Sequence, residues 1–199
     1  MLACGCGASA LPPKPAPPRA HEPPTSVAPW QAPPRPALST TVGALPRSLV
    51  GHEWETLPTA SKVVAPTFDA GSNDAGVSSI LQTLRRSGTP ATFFLTGRWV
   101  DAYADEARTI AQRYSVGNHT FDHRPSPQLT DAQVREELGS AARAIRAQTG
   151  ADPRPLFRFP YGDRDARTIR LVNQLGYGSI RWTVDTLGWQ GAAAGGTQA

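Results

Sequence analysis

The chain has 199 residues, a formal net charge of +4 and 20 prolines. Scattered arginines carry its positive charge, without a basic run or interleaved aromatic residues, so the composition argues against a nucleic-acid-binding protein. No apolar stretch reaches the roughly 18 residues that predict a transmembrane helix. Both cysteines, Cys4 and Cys6, lie in the first ten residues, so a domain further along has neither a disulfide framework nor a cysteine zinc site.

The segment before residue 60 lacks the pattern of a folded domain. Residues 1–10 resemble the end of a bacterial lipoprotein signal whose true start lies upstream; a chance cysteine cluster is the alternative. Thirteen prolines lie between residues 11 and 58, so we expect residues 11–59 to form an extended, disordered Pro-rich linker. Residues 60–199 remain for one domain with a single core. We expect the protein to be secreted or anchored in the cell envelope.

Strand and helix patterns alternate through residues 60–199. We predict strands over 62–68, 91–96, 115–117, 156–159 and 178–184, and helices over 73–87, 101–114, 131–148 and 163–175. The third helix should begin after the N-cap Thr130 and end before Gly150. Strands separated by helices of about a dozen residues predict an α/β fold built from parallel β/α units.

Polar clusters follow the predicted strands. Asp69 lies at the end of the first strand, and further clusters follow the last two, over 157–162 and 182–189. His119 and His123 follow the middle strand; on one helical turn their spacing would put both imidazoles on one face, close enough to share a divalent cation. Because sites in α/β folds form at the carboxyl ends of parallel strands, we expect these clusters to converge.

Four short motifs carry a family resemblance. In chain order they are Thr67-Phe68-Asp69, His119-Thr120-Phe121-Asp122-His123, Arg158-Phe159-Pro160-Tyr161 and Asp185-Thr186-Leu187-Gly188-Trp189. Their order is similar to that of the polysaccharide deacetylases, also called NodB-homology or carbohydrate esterase family 4 enzymes. The similarity runs from about residue 61 to residue 191 and implies a distorted (β/α) barrel.

The resemblance also implies a metal-dependent hydrolase that removes N-acetyl groups from a glycan, such as peptidoglycan or a chitin-like polysaccharide. O-acetyl esterase action on xylan is an alternative, because both reactions need the same groups. His119 and His123 would hold a divalent metal, for which we expect zinc. Such a metal lowers the pKa of bound water to about 7 and polarises the acyl oxygen.

The other candidate catalytic residues would supply a base and an oxyanion donor. Asp69 is the expected base; a helix N-cap or turn residue is the alternative for it. Arg158 would hold Asp69 in position and ionised; an ion pair with a structural carboxylate is the alternative for Arg158. The turn fixed by Pro160 would aim the Tyr161 amide N–H at the oxyanion. Asp185 is a further catalytic candidate, with a hydrogen bond to loop backbone as its alternative.

Pro160 and Trp189 are the candidate substrate-binding residues. Trp189 offers a flat apolar face to a sugar ring, and its alternative is to close the core. Pro66 lies inside the first predicted strand, where its missing N–H costs a ladder bond unless the strand is at a sheet edge.

The chain departs from the family pattern at three places. Ala70 stands where the family usually has a second carboxylate that completes the metal site; Asp74, Asp69 itself or water are the alternatives for this ligand. Gly188 stands where the family commonly has an aspartate. The last motif, a Leu-x-His that supplies the general acid, would lie beyond Ala199, so we expect the barrel to be incomplete at its C-terminal end. A catalytically impaired glycan-binding pseudoenzyme is therefore the second functional hypothesis.

Overall fold

The computed structural model describes residue 45, residues 47–56 and residues 59–190. The lipoprotein-like start, most of the Pro-rich segment and residues 191–199 lie outside the described residues. The strands are β1 (Glu53–Trp54), β2 (Thr67–Ala70), β3 (Thr92–Leu95), β4 (Ser115–Asn118), β5 (Leu156–Phe157) and β6 (Gly178–Ile180). The α-helices are α1 (Val77–Ser87), α2 (Gly97–Ala102), α3 (Ala104–Arg113), α4 (Asp131–Thr149) and α5 (Ala166–Gln174).

The strands form one parallel sheet in the order β1-β6-β5-β4-β3-β2. From β2 to β6, each strand therefore lies beside the next one in sequence. Right-handed crossovers between such neighbours place the helices on one side of the sheet, which is the arrangement of a barrel rather than of a doubly wound sheet. The predicted α/β fold is confirmed, and the described sheet is open, with β1 and β2 at its edges.

The first predicted strand begins too early. β2 starts at Thr67, and Val63 and Val64, which we included in that strand, are exposed. Pro66 directly precedes β2 at the sheet edge, where its carbonyl accepts a hydrogen bond from the Thr92 amide at 3.1 Å. The ladder uses only the carbonyl of Pro66, so its missing N–H costs no strand pairing.

The predicted linker boundary is also wrong, because β1 lies inside the range 11–59. Its Glu53 carboxylate contacts the Ser179 hydroxyl at 3.2 Å and pairs with Arg164. The Trp54 carbonyl accepts a hydrogen bond from the Arg181 amide at 2.8 Å. These contacts join the segment to β6, so the folded part of the chain begins before residue 60.

Helix α4 follows its predicted bounds and supports the middle of the sheet. Thr130 and Gln133 form a capping box, and Gly150 ends the helix in the left-handed conformation with φ 71°. Its buried side includes Val134 and Leu138, which belong to a core cluster with residues of β5 and α5. No described helix has both the length and the apolarity that a membrane crossing requires.

Candidate active site

The predicted site residues meet at the carboxyl ends of the parallel strands. Asp69 lies in β2, His119 directly follows β4, and Arg158 directly follows β5. Asp69 Oδ1 accepts a hydrogen bond from Arg158 Nη1 at 2.7 Å, and Asp69 Oδ2 is 3.7 Å from His119 Nε2. The Nε2 atoms of His119 and His123 are 3.1 Å apart. The predicted convergence of these four side chains is confirmed, whereas their chemical roles stay predictions.

His119 and His123 form an uncharged imidazole pair at neutral pH. His119 is buried and its Nδ1 lies 2.8 Å from the Arg158 carbonyl oxygen, so Nδ1 carries the proton and Nε2 keeps its lone pair. Burial lowers the pKa of His119 to about 4, against the opposing attraction of Asp69. Burial also lowers the pKa of His123. Neutral imidazole is the form that binds a metal.

The two histidines lie in a loop and not on the helical turn that their spacing first indicated. Thr120 and His123 have φ angles of 66° and 59°, in the left-handed region that residues other than glycine seldom adopt. The Thr120 hydroxyl accepts a hydrogen bond from the His123 amide at 3.1 Å. Residues 119–123, here called the histidine loop, therefore bring the two rings together by turning back on themselves.

Two buried side chains, neither of them predicted from the sequence, hold the histidine loop. The Oδ1 atom of Asn118 accepts a hydrogen bond from the Thr120 amide at 2.9 Å. Glu137 on α4 is buried and accepts hydrogen bonds from backbone amides of the loop. The signal that could have found Glu137 is its place three residues after Val134, on the apolar side of α4.

Arg158 anchors Asp69 from a buried position. Its Nη2 donates to the Thr67 hydroxyl at 2.9 Å, and its guanidinium lies 4.2 Å from the centre of the Phe94 ring. The carbonyl oxygens of Ile180, the last residue of β6, and of the following Arg181 accept further hydrogen bonds from the Arg158 guanidinium at 3.3 and 3.4 Å. Because these contacts hold the planar guanidinium of Arg158, it fixes the Asp69 carboxylate so that Oδ2 faces His119. Thr67 and Phe94 were not predicted as site residues.

Tyr161 and Pro160 form a 3-10 turn next to the histidines. The Tyr161 ring is exposed and lies edge-on to the His123 ring, with centroids 4.6 Å apart. Tyr161 has φ 59°, and within the described residues its amide N–H donates no hydrogen bond. Trp182, which we did not predict, has its ring 5.4 Å from the Arg158 guanidinium carbon.

Asp185 and Trp189 lie apart from Asp69, Arg158 and the two histidines. Asp185 Oδ1 accepts a hydrogen bond from the Leu187 amide at 2.8 Å, which is the contact with loop backbone expected if Asp185 is not catalytic. Trp189 is 77% exposed, so the hypothesis that it closes the core is wrong. Among the described residues, neither side chain makes a hydrogen bond or ring contact with Asp69 or the histidines.

The imidazole pair fits a divalent cation. Two nitrogen ligands of a tetrahedral zinc lie about 3.3 Å apart, given bonds of about 2.0–2.1 Å, and the observed Nε2 separation is 3.1 Å. In the part of the chain that the structure describes, no group of three or more His, Cys, Asp or Glu side chains is arranged to hold a metal ion. The structure therefore does not support Asp74 as the metal ligand that would take the place of the carboxylate absent at Ala70.

Solved structures with the same fold include carbohydrate esterases and a pseudoenzyme. A family 4 carbohydrate esterase from Bacillus anthracis matches with a TM-score of 0.67 and 29% identity over 71% of this chain and 70% of that one. A carbohydrate esterase family 4 pseudoenzyme from the same organism matches with a TM-score of 0.67 and 29% identity over 70% of this chain and 50% of that one. A mutant of that pseudoenzyme with restored activity matches with a TM-score of 0.66 and 30% identity, covering 70% of this chain and 52% of that one.

Curated relatives match a similar share of the chain. A chitooligosaccharide deacetylase of Azorhizobium caulinodans is 30% identical over 125 residues, which are 62% of this chain and 60% of the relative. A peptidoglycan-N-acetylglucosamine deacetylase of Listeria monocytogenes is 33% identical over 68% of this chain and 28% of the relative. A bifunctional xylanase/xylan deacetylase of Cellvibrio japonicus is 35% identical over 67% of this chain and 20% of the relative. The chain thus spans 60% or less of the length of these relatives.

The sequence profile of the polysaccharide deacetylases matches residues 56–180. This range includes Asp69, both histidines, Arg158 and Tyr161, and it ends before Asp185 and Trp189. Because it covers more than half of the 199 residues, the chain belongs to the polysaccharide deacetylase family.

Proposed function

We propose that this chain is a metal-dependent hydrolase that removes N-acetyl groups from a glycan, with peptidoglycan or a chitin-like polysaccharide as substrate. The relatives named as chitooligosaccharide and peptidoglycan deacetylases support this substrate class. One observation carries the proposal: the Asp69 carboxylate is held by Arg158 at 2.7 Å and lies 3.7 Å from the ring of His119, beside a second imidazole.

Asp69 is the proposed base. In the reaction, water attacks the acyl carbon and gives a proton to Asp69. A proton returns to the nitrogen as the carbon–nitrogen bond breaks, so that acetate and a free amine are released. Because Arg158 occupies Oδ1, Oδ2 is the oxygen available for that proton. A divalent metal, zinc in this proposal, would be held by His119 and His123, and it would supply polarisation of the acyl oxygen and activation of water.

The Tyr161 amide is the proposed donor to the oxyanion. Its N–H has no partner among the described residues, and the preceding Pro160 has no N–H that could compete. We retain Asp185 as a catalytic candidate, and Pro160 and Trp189 as substrate-binding residues. The exposed indole of Trp189 supports its assignment, because it can stack on a sugar ring.

A glycan-binding pseudoenzyme is the second candidate function. Ala70 supplies no carboxylate to the metal site, and the Asp185 carboxylate is engaged by the Leu187 amide. The similarity to a solved pseudoenzyme of the same family favours this candidate further. O-acetyl esterase action on xylan is a third, supported by the relative from Cellvibrio japonicus. For each candidate we propose a secreted or envelope-anchored protein, because these glycans lie outside the cytoplasm.

The test combines zinc content with acetate release. The full chain is loaded with zinc and incubated separately with N-acetylglucosamine oligomers, peptidoglycan and O-acetyl xylan. The proposed function predicts about one zinc per chain and acetate released from an N-acetylated substrate. Glycan binding without acetate release would identify the pseudoenzyme, and release from xylan alone would identify the esterase.

A further inference from the structure

Glu137 is a carboxylate on the apolar side of a core helix. It lies in α4 between the buried residues Val134, Leu138 and Ala141, and its side chain is only 7% exposed. A buried carboxylate destabilises a fold unless hydrogen-bond donors or a cation compensate for its lost hydration. The contacts of Glu137 therefore indicate the structural role of this buried carboxylate.

The donors to Glu137 come from the histidine loop. Its Oε2 accepts hydrogen bonds from the amides of Phe121 at 2.9 Å and Asp122 at 2.8 Å. The nearest described cation, Arg124, has its Nη1 4.0 Å from Oε1, beyond hydrogen-bonding distance. Within the described residues, the two amides are thus the hydrogen-bond donors that compensate this charge.

The two amides lie midway between the histidines, in a backbone that needs support. Thr120 and His123 flank them, both with the left-handed φ angles that disfavour side chains. If the peptide segment between them relaxed, His123 would move relative to His119, which is fixed separately by its bond to the Arg158 carbonyl. The 3.1 Å separation of the imidazoles therefore depends on what holds Phe121 and Asp122.

We infer that Glu137 is a positioning residue that holds the histidine loop in the geometry in which His119 and His123 share a divalent cation. The inference rests on the proposed function, which includes the cation. It gives a role to Glu137, which has none in the proposed function. Partners that orient metal ligands typically contribute about 10–100-fold to metal affinity.

The test uses Glu137→Ala, Glu137→Gln and the control Glu136→Ala in the full chain. Glu136 is the neighbouring residue on α4, is 70% exposed and bonds Ser140 and Arg143 instead of the loop. Zinc affinity is measured by competition with a chelating dye. Glu137→Ala should bind zinc about 10–100-fold more weakly than wild type, Glu137→Gln should lose less because its amide oxygen still accepts hydrogen bonds, and Glu136→Ala should match wild type.

Amide hydrogen exchange in the metal-free chain gives an independent readout. The Phe121 and Asp122 amides should exchange faster in Glu137→Ala than in wild type, while amides in the middle of α4 keep their protection. Unchanged exchange or zinc affinity in Glu137→Ala, or no recovery in Glu137→Gln, overturns the inference. If wild type binds no zinc, the proposed function fails, and the exchange measurement alone decides whether Glu137 orders the loop.

Discussion

At the scale of single residues, the site depends on Arg158. Its guanidinium bonds the Asp69 carboxylate at 2.7 Å and the Thr67 hydroxyl at 2.9 Å while it packs on Phe94. The contact with Asp69 was predictable, because both residues belong to motifs of known order. The contacts with Thr67 and Phe94 were not predictable, because such contacts depend on which side chains of neighbouring strands face the guanidinium.

Arg158→Lys should lower kcat/KM for acetate release by about 10²-fold, because lysine keeps the charge but lacks the fork that holds Asp69 and Thr67 together. The matched control is Arg167→Lys, at an arginine paired with Asp131 on the surface; it should retain wild-type activity. Steady-state kinetics on N-acetylglucosamine oligomers checks both variants. Equal activity of Arg158→Lys and wild type would mean that Asp69 does not need this orientation.

His119 should make the metal-free chain less stable in acid. Its pKa is about 4 in the folded state against an ordinary value of 6.5, so between these pH values the unfolded chain binds more protons. The contribution of His119 to the free energy of unfolding should therefore fall by about 3 kcal/mol as pH is lowered through this window. Urea unfolding across the window measures the slope, and His119→Asn should lack this part of it. Identical slopes would contradict the burial of a neutral imidazole.

At the scale of elements, α4 could be predicted and the histidine loop could not. Local signals, the N-cap Thr130 and the terminal Gly150, set the bounds of α4. The loop adopts left-handed angles at Thr120 and His123 because of contacts with distant residues such as Glu137. A four-residue histidine spacing does not distinguish such a loop from a helical turn.

Gly97→Ala should disturb the histidine loop through the first residue of α2. A Cβ at Gly97 would lie 2.1 Å from Cδ2 of Phe121, too close without displacement of that ring. We expect a loss of about 1–3 kcal/mol in unfolding free energy, together with weaker zinc binding. The control is Gly139→Ala inside α4, where a Cβ would meet only the flexible end of Arg143 at 3.3 Å; it should be neutral or stabilising by about 0.5–1 kcal/mol. A stable, zinc-binding Gly97→Ala would contradict this packing.

At the scale of the whole molecule, strand order explains why separated motifs form one site. Parallel strands that neighbour one another in sequence place all their carboxyl ends on one edge of the sheet, so motifs about 90 residues apart, such as those of Asp69 and Arg158, meet there. The alternation of strands and helices predicted this arrangement. The same alternation did not predict β1. Two residues within a Pro-rich segment carry no periodicity, and the strand with which they pair lies more than 100 residues away, as the Glu53–Ser179 contact shows.

Acetate release by the zinc-loaded Asp69→Asn variant tests the central claim most directly. Asparagine keeps the size of the side chain but cannot accept the proton, so release from N-acetylglucosamine oligomers should fall by about 10²–10⁴-fold relative to wild type. Asp74→Asn, at the neighbouring carboxylate outside the group, should retain the wild-type rate. Acetate release from Asp69→Asn at the wild-type rate would contradict the assignment of this site as a deacetylase centre.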